Sequence, residues 1–282
     1  MKILPFKIPK SENSGLIYQE DNEIIFYDKL HQHDEIQISF IKKGSGTLLV
    51  VDRFYNYTKN DIFVIGSSIP HIFKSEKNTS EPSSMLSLFF TNTSFGADFF
   101  NLSEFEEIRS FFEKSEKGFQ ITSNQKKIKR LFLQLKQATK MNRFLLFLQL
   151  LKLISSSKKH SLSTFNFTKK YTDIEGKRMR SVFEYTIKNA HLSIGLKEIS
   201  EIASMTKNAF CKYFKKRTNK TYIRFLTEIR IENSCKLLHK TKELSINEIA
   251  FHVGFTNISN FNRQFKKIKK STPTAYRKNL FG

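Results

Sequence analysis

The sequence predicts an α+β protein of two domains, a β-rich N-terminal half followed by an all-α C-terminal half. Three observations carry that reading. Short β-branched and aromatic runs recur between turn-like pieces from Glu23 to about Phe90. The periodicity becomes helical after Ser103. A helical pattern then repeats itself about 50 residues apart within the last hundred positions. With 282 residues, of which 39% are hydrophobic, the chain has material for two ordinary cores.

The β-rich part reads as the runs "EIIFYDKL", "EIQISFIKKG", "GTLLVVDRF", "DIFVIGS" and "SMLSLFFT". The pieces "HQHD", "KKGSG", "YTKND" and "SSIP" separate them. Close, even spacing of such strands suggests a small barrel or sandwich. In "SEFEEIRSFFEKS", Ser103 and Glu106 stand at the spacing of a capping box. Two amphipathic helices follow, within residues 125–154. Ser/Thr/Lys-rich, weakly periodic sequence then marks a linker. The expected domains are 1–155, a linker at 156–173, and 174–282.

Charge divides the same way. The formal net charge is +22, and from Ile174 onward there are 23 Lys+Arg against 8 Asp+Glu. Such an excess asks for a polyanionic partner. Cys211 and Cys235 lie in expected helices and form no disulfide or zinc pattern. The start "MKILPFKIPK" lacks a signal-peptide run, and the most apolar stretch, Phe144 to Ile154, is too short to span a bilayer. The expectation is a soluble cytoplasmic protein with no membrane association.

The internal repeat is the most informative feature. "LKEISEIASMTKNAFCKYFKK" aligns with "SINEIAFHVGFTNISNFNRQFKK", pairing Ile199 with Ile249, Ala203 with Val253, Met205 with Phe255, Phe210 with Phe261, and Phe214 with Phe265. Each copy is a short helix, a tight turn and a longer helix with Phe at i and i+4, the helix-turn-helix pattern. On the outer stripe the first copy presents Asn208, Cys211 and Lys212, and the second presents Ser259, Asn260 and Arg263. These side-chain types, with no carboxylate among them, suit base edges in a major groove. Lys207, Lys215, Lys216, Lys266 and Lys267 would meet phosphates. Thr221 to Lys240, as a helix of about 28 Å, would hold the two units roughly one DNA turn apart.

At these residues the chain resembles the AraC/XylS family of bacterial transcription regulators, over roughly Lys177 to Lys278. "EIA", "VGF", "F-x-R-x-FKK" and "P-x-x-YR" carry the likeness. The resemblance implies double-stranded DNA as partner, an activator more often than a repressor, and a possible contact with RNA polymerase. It also implies a cupin-like sensor barrel at the N-terminus and a homodimer paired through residues 125–154. Two departures stand out. Ser204 occupies the turn where the second copy has Gly254, and Lys270 stands where a glycine usually precedes the final motif. The turn at Ser204 and the helix end at Lys270 are therefore expected to use a different geometry.

His31 and His33, with His71 beyond a proline, resemble the histidines of metal-binding cupin enzymes. Such enzymes add a carboxylate where this chain has Gln37, and Glu35 comes too early. The expectation is an effector pocket lined by His31, His33 and His71, without metal or other cofactor, in a protein that is not an enzyme. The alternative is a metal-dependent cupin enzyme with a basic helical appendage, which leaves the two basic stripes without a role.

Overall fold

The computed structural model describes residues 15–26, 29–51, 53–76, 82–163, 172–241 and 243–281. The first 14 residues of the expected sensor domain and residues 164–171 of the expected linker lie outside them. The chain divides into two compact units, Met1–Gly176 and Lys177–Gly282.

Among the described residues, the first unit contains nine strands in two sheets. β1 (Ile17–Glu23), β2 (Ile36–Lys43), β5 (Ile62–Ile65), β7 (Ser83–Phe90), β8 (Phe119–Ile121) and β9 (Lys159–Ser161) form a six-stranded antiparallel sheet in the order β1-β7-β2-β5-β8-β9. β3 (Gly46–Val50), β4 (Arg53–Tyr57) and β6 (His71–Ser75) form a three-stranded sheet in the order β4-β3-β6. β9 corrects the expected linker. Residues 159–161 pair with β8, so the strand-rich domain continues past position 155. Polar, Lys/Ser-rich sequence hid an edge strand whose main-chain bonds do not depend on apolar side chains. The run "EIIFYDKL" is likewise not one strand, because the strand precedes it and ends at Glu23.

Period-2 alternation sorts the side chains of the large sheet. Ile36, Ile38 and Phe40 of β2, Ile62 and Val64 of β5, and Leu86, Leu88 and Phe90 of β7 share one core. That core is closed by α1 (Arg109–Ser115), α2 (Gln125–Leu135) and α3 (Lys140–Ser156) through Phe111, Ile128, Phe132, Phe147 and Leu150. The alternate residues Ile41, Phe63, Ile65 and Met85 join Leu48, Val50, Tyr57 and Phe73 of the smaller sheet in a second core. A single layer of strands is therefore buried on both faces, which explains its near-continuous apolar runs. Ser103 forms no capping box. Residues Ser103–Ile108 wind as a 3-10 helix without a side-chain cap.

Among the described residues, the regular elements of the second unit are helices: α4 (Asp173–Asn189), which starts just before the division, α5 (Leu196–Ile202), α6 (Lys207–Thr218), α7 (Tyr222–Lys240), α8 (Ile246–His252), α9 (Ile258–Lys269) and α10 (Pro273–Phe281). In the first half Phe210 and Phe214 pack with Phe183, Tyr222 and Phe225. In the second, Phe261 and Phe265 join Ile231, Cys235, Leu238, Ile249, Val253 and Phe255, with Tyr276 against Phe265.

The two departures in turn chemistry do not change the geometry, contrary to expectation. Ser204 takes φ 51° and Gly254 φ 96°, both left-handed. Met205 N–H donates to the Ser200 carbonyl at 2.9 Å, and Phe255 N–H donates to the Ala250 carbonyl at 3.0 Å. The closures are equivalent. Likewise α6 ends on Asn219 (φ 56°) and α9 on Lys270 (φ 60°), each N–H donating to a carbonyl four residues back. Lys270 thus occupies the left-handed position a glycine would fill, at a steric cost of about 1–2 kcal/mol. Lys270 is exposed, so no packing competes with relief of that strain. Replacing it by glycine (K270G) is expected to stabilise the second unit by about 1 kcal/mol, read as an increased denaturation midpoint with an unchanged m-value.

Candidate nucleic-acid interface

Each helix-turn-helix unit is set by three local devices: a cap, a turn and a buried Phe pair. Thr206 caps α6, its hydroxyl accepting from Ala209 N–H, and Asn257 caps α9, its side-chain oxygen accepting from Asn260 N–H at 2.9 Å. Ser245 and Glu248 form a reciprocal capping box at the start of α8. The one-residue difference between copies falls between turn and cap, Ser204 to Thr206 against Gly254 to Asn257. Phe210 and Phe214, and Phe261 and Phe265, are fully buried, with ring centroids 5.6 Å apart in each pair. Burying i and i+4 of a helix fixes which residues face outward.

What faces outward is the polar set named from the sequence. Asn208, Cys211 and Lys212 are exposed on α6, with Lys207, Lys215 and Lys216. Ser259, Asn260 and Arg263 are exposed on α9, with Lys266 and Lys267. Neither helix contains an Asp or Glu. Arg263 Nη2 donates to Asn260 Oδ1 at 3.1 Å, so these two polar groups are held together before any partner arrives. Of the other basic residues, Lys269 turns back to the connecting helix, Nζ lying 2.6 Å from Glu232 Oε1. The free cations are thereby sorted from the structural ones.

Sequence reasoning missed Arg230, in the middle of α7. Its Nε donates to the Ala190 carbonyl at 2.7 Å and its Nη2 to the Leu192 carbonyl at 2.8 Å. Its guanidinium also lies over the Phe255 ring, 5.9 Å from the centroid. These carbonyls follow the C-terminus of α4 in the first half of the unit, whereas Phe255 belongs to the turn of the second. Gly254 lies against the same place. A Cβ there would stand 2.8 Å from the Ala190 carbonyl, 2.9 Å from Arg230 Nε and 2.9 Å from the His191 carbonyl. The second turn is thus seated directly on the first half, with Arg230 as the joint. Burial lowers the Arg230 pKa, and the two carbonyl acceptors replace part of the hydration its charge loses. The available signal was an arginine flanked by the buried Ile229 and Ile231 on a helix whose inward side is mostly apolar.

The two cysteines separate cleanly. Cys211 is exposed on the α6 face, and Cys235 is buried in the second core. Burial pushes the Cys235 thiol up to about 11. His31, His33 and His71 are brought together inside the first unit, with His31–His71 ring centroids 4.4 Å apart and His33–His71 5.1 Å. His31 and His33 precede β2 rather than lying on a strand, and the main chain of His31 pairs with that of His71.

A strand-rich domain followed by paired helix-turn-helix units defines the class, a two-domain helix-turn-helix protein. Residues 15–143 match the family described as the AraC-like ligand binding domain, and residues 199–279 match a helix-turn-helix domain. The chain belongs to the AraC family, by the AraC-like match in its first half together with the helix-turn-helix match in its second. It is 24% identical to the transcriptional activator RhaR of Mannheimia succiniciproducens, over 88% of this chain and 86% of that protein. It is 30% identical to the uncharacterised regulator YdeC of Bacillus subtilis (strain 168), over 37% of this chain. That match, like the one to an uncharacterised regulator of Haemophilus influenzae, spans 36% of the relative's length. Among solved structures, apo ToxT of Vibrio cholerae strain SCE256 aligns over 96% of this chain and all of that one, at 17% identity and a TM-score of 0.39.

The exposure of Cys211 gives a direct probe of the α6 face. In the free protein an alkylating reagent is expected to modify Cys211 quickly and Cys235 scarcely at all. Duplex DNA fragments selected by the protein should protect Cys211, as measured by mass spectrometry of the modified peptides.

Proposed function

We propose that this chain is a sequence-specific regulator of transcription that binds double-stranded DNA through α6 and α9 and acts as an activator. The observation that carries the reading is the pair of acid-free, exposed helix faces with equivalent turns, joined by Arg230. Asn208, Lys212, Ser259, Asn260 and Arg263 would read base edges in successive major grooves, and Cys211 would make an apolar contact. Lys207, Lys215, Lys216, Lys266 and Lys267 would neutralise phosphates. Activation is supported by the name of the Mannheimia succiniciproducens relative, and contact with RNA polymerase follows from that role.

The strand-rich unit would sense a small molecule in the pocket around His31, His33 and His71. An effector can act only by binding one arrangement of the protein more tightly than another. The same unit would form a homodimer through α2 and α3. Their inner faces cap the sheet, yet Leu133, Met141 and Leu145 remain exposed. These three exposed large apolar side chains on α2 and α3 would be covered by a second copy.

On selected fragments, Arg263→Ala is expected to weaken binding by about 1–3 kcal/mol, with little change on random duplex. Equal loss on both, measured by fluorescence anisotropy, would make Arg263 a phosphate contact. Binding should also fall linearly in log K against log salt, and a flat response would sink the interface. For assembly, light scattering of the full chain should give twice the 33.1 kDa chain mass, and Leu145→Glu should return it to one.

A further inference from the structure

The wall between the two sheets carries a polar strip in apolar surroundings. Gln37 and Ser39 of β2 face Ser87 of β7 on the side of the sheet away from the helices. The three histidines border this strip. His33 and His71 are buried with Gln37, and His31 is partly buried at the edge.

All three imidazoles are turned the same way. Nδ1 lies 2.8 Å from the Lys29 carbonyl in His31, 2.9 Å from the Glu35 carbonyl in His33, and 2.8 Å from the Ile69 carbonyl in His71. A carbonyl oxygen only accepts, so each Nδ1 carries the proton and each Nε2 a lone pair. One ligand nitrogen of each ring gathers within 4.8 Å of the others. Gln37 adds a fourth acceptor. Its Nε2 donates to Ser39 Oγ at 2.7 Å, which directs Oε1 to 3.0 Å from His33 Nε2 and 3.1 Å from His71 Nε2. The Gln37–imidazole spacings suit ligands of a common ion, and the 4.8 Å spread of the imidazole nitrogens must close to at most about 4.2 Å as the ion binds. Around an ion about 2.1 Å from its donors, two donors at right angles stand about 3.0 Å apart.

Backbone carbonyls on Nδ1 fix the tautomer and ring orientation, as the outer partners of a metal-binding histidine do. Behind His33, the buried Glu35 Oε2 has no hydrogen-bond partner and lies 3.7 Å from Nδ1. An anion there offsets charge delivered to the imidazole.

We propose that this unit holds a divalent first-row transition-metal ion, ligated by Nε2 of His31, His33 and His71 and by Oε1 of Gln37. Three imidazoles with one amide oxygen suit zinc, cobalt, nickel or iron(II) over magnesium or calcium. The direct ligands are all neutral, so the ion keeps its charge. The His31 edge offers a side on which water or an anionic small molecule can complete the coordination. This reverses the metal-free pocket expected from the sequence, and it does not depend on the DNA-binding reading. Gln37, standing where a cupin enzyme would carry a carboxylate, serves as the oxygen donor.

The same atoms have one arrangement that needs no ion. With the Gln37 amide turned over, its NH2 donates to both Nε2 atoms and its oxygen accepts from Ser39 and Ser87. The experiment separates the two. Untagged full-length protein is stripped with chelator, then titrated with Co2+ and Zn2+ in equilibrium dialysis without DNA. The expected result is one equivalent per chain, a visible Co2+ ligand-field band and a higher melting temperature with Zn2+. His31→Ala, a partly buried position, should keep the far-UV spectrum and weaken retention at least tenfold. It leaves the exposed His160, His191, His239 and His252 in place as a control for surface binding. Gln37→Glu should tighten retention, because a charged oxygen replaces a neutral one at the ion. Absence of stoichiometric metal, retention indifferent to His31→Ala, or failure of Gln37→Glu to tighten it would each overturn the site in favour of the ion-free network. DNA binding is measured separately, so either reading can fail alone.

Discussion

The joint at Arg230 governs what the helical unit can do. Two recognition helices can enter successive grooves of one duplex only if their relative placement is fixed before binding, because ordering them at that moment would cost affinity. A 19-residue helix supplies length but not orientation. Orientation comes from the guanidinium that binds the Ala190 and Leu192 carbonyls while lying over Phe255. Hydrogen bonds to a charged group contribute about 1.5–3 kcal/mol, and losing the donor would leave the carbonyl of buried Ala190 without it. Gly254 completes the seat because any Cβ would push the second turn off the first half.

The two copies meet the same geometric demand with different residues. A left-handed residue is required where each first helix turns into the second, and another where each second helix ends. Glycine fills only one of the four places; Ser204, Asn219 and Lys270 fill the rest. The surrounding closures and Phe pairs over-determine the backbone, so a modest local strain is tolerated. Apart from the Arg263–Asn260 contact within α9, the outer faces present exposed polar groups, so Asn208, Lys212, Asn260 and Arg263 lie open to a partner.

In the strand-rich unit the governing constraint is the pleat. One sheet separates a helix-covered core from the inter-sheet core, and its alternate positions belong to different compartments. Placing Gln37, Ser39 and Ser87 on the inner side carries a desolvation penalty unless each finds a partner. Ser39 and Ser87 bond to one another at 2.8 Å, and Gln37 connects them to the histidines. Buried polar groups bonded in this way tie the strip to the histidines and disfavour apolar repacking of the site.

What the sequence determined by itself is what local periodicity encodes: the change from period 2 to period 3.6, the duplicated short-helix, turn, long-helix pattern, the inward Phe pairs, and the acid-free stripes. Each depends on neighbours within about five residues, so a chain read alone displays it. Tertiary structure decided what depends on distant partners. β9 is a strand because β8 lies beside it, although Lys159, His160 and Ser161 have little strand preference. Ser204 and Lys270 take left-handed backbone because the buried helices on either side fix where the chain must turn, and the main-chain closures there require it. Arg230 is a joint only because residues 190–192 and Phe255 converge on it from both sides. The histidines were visible, but their common tautomer, their shared focus and the acceptor supplied by Gln37 arise from main-chain carbonyls and a sheet register that no local pattern records.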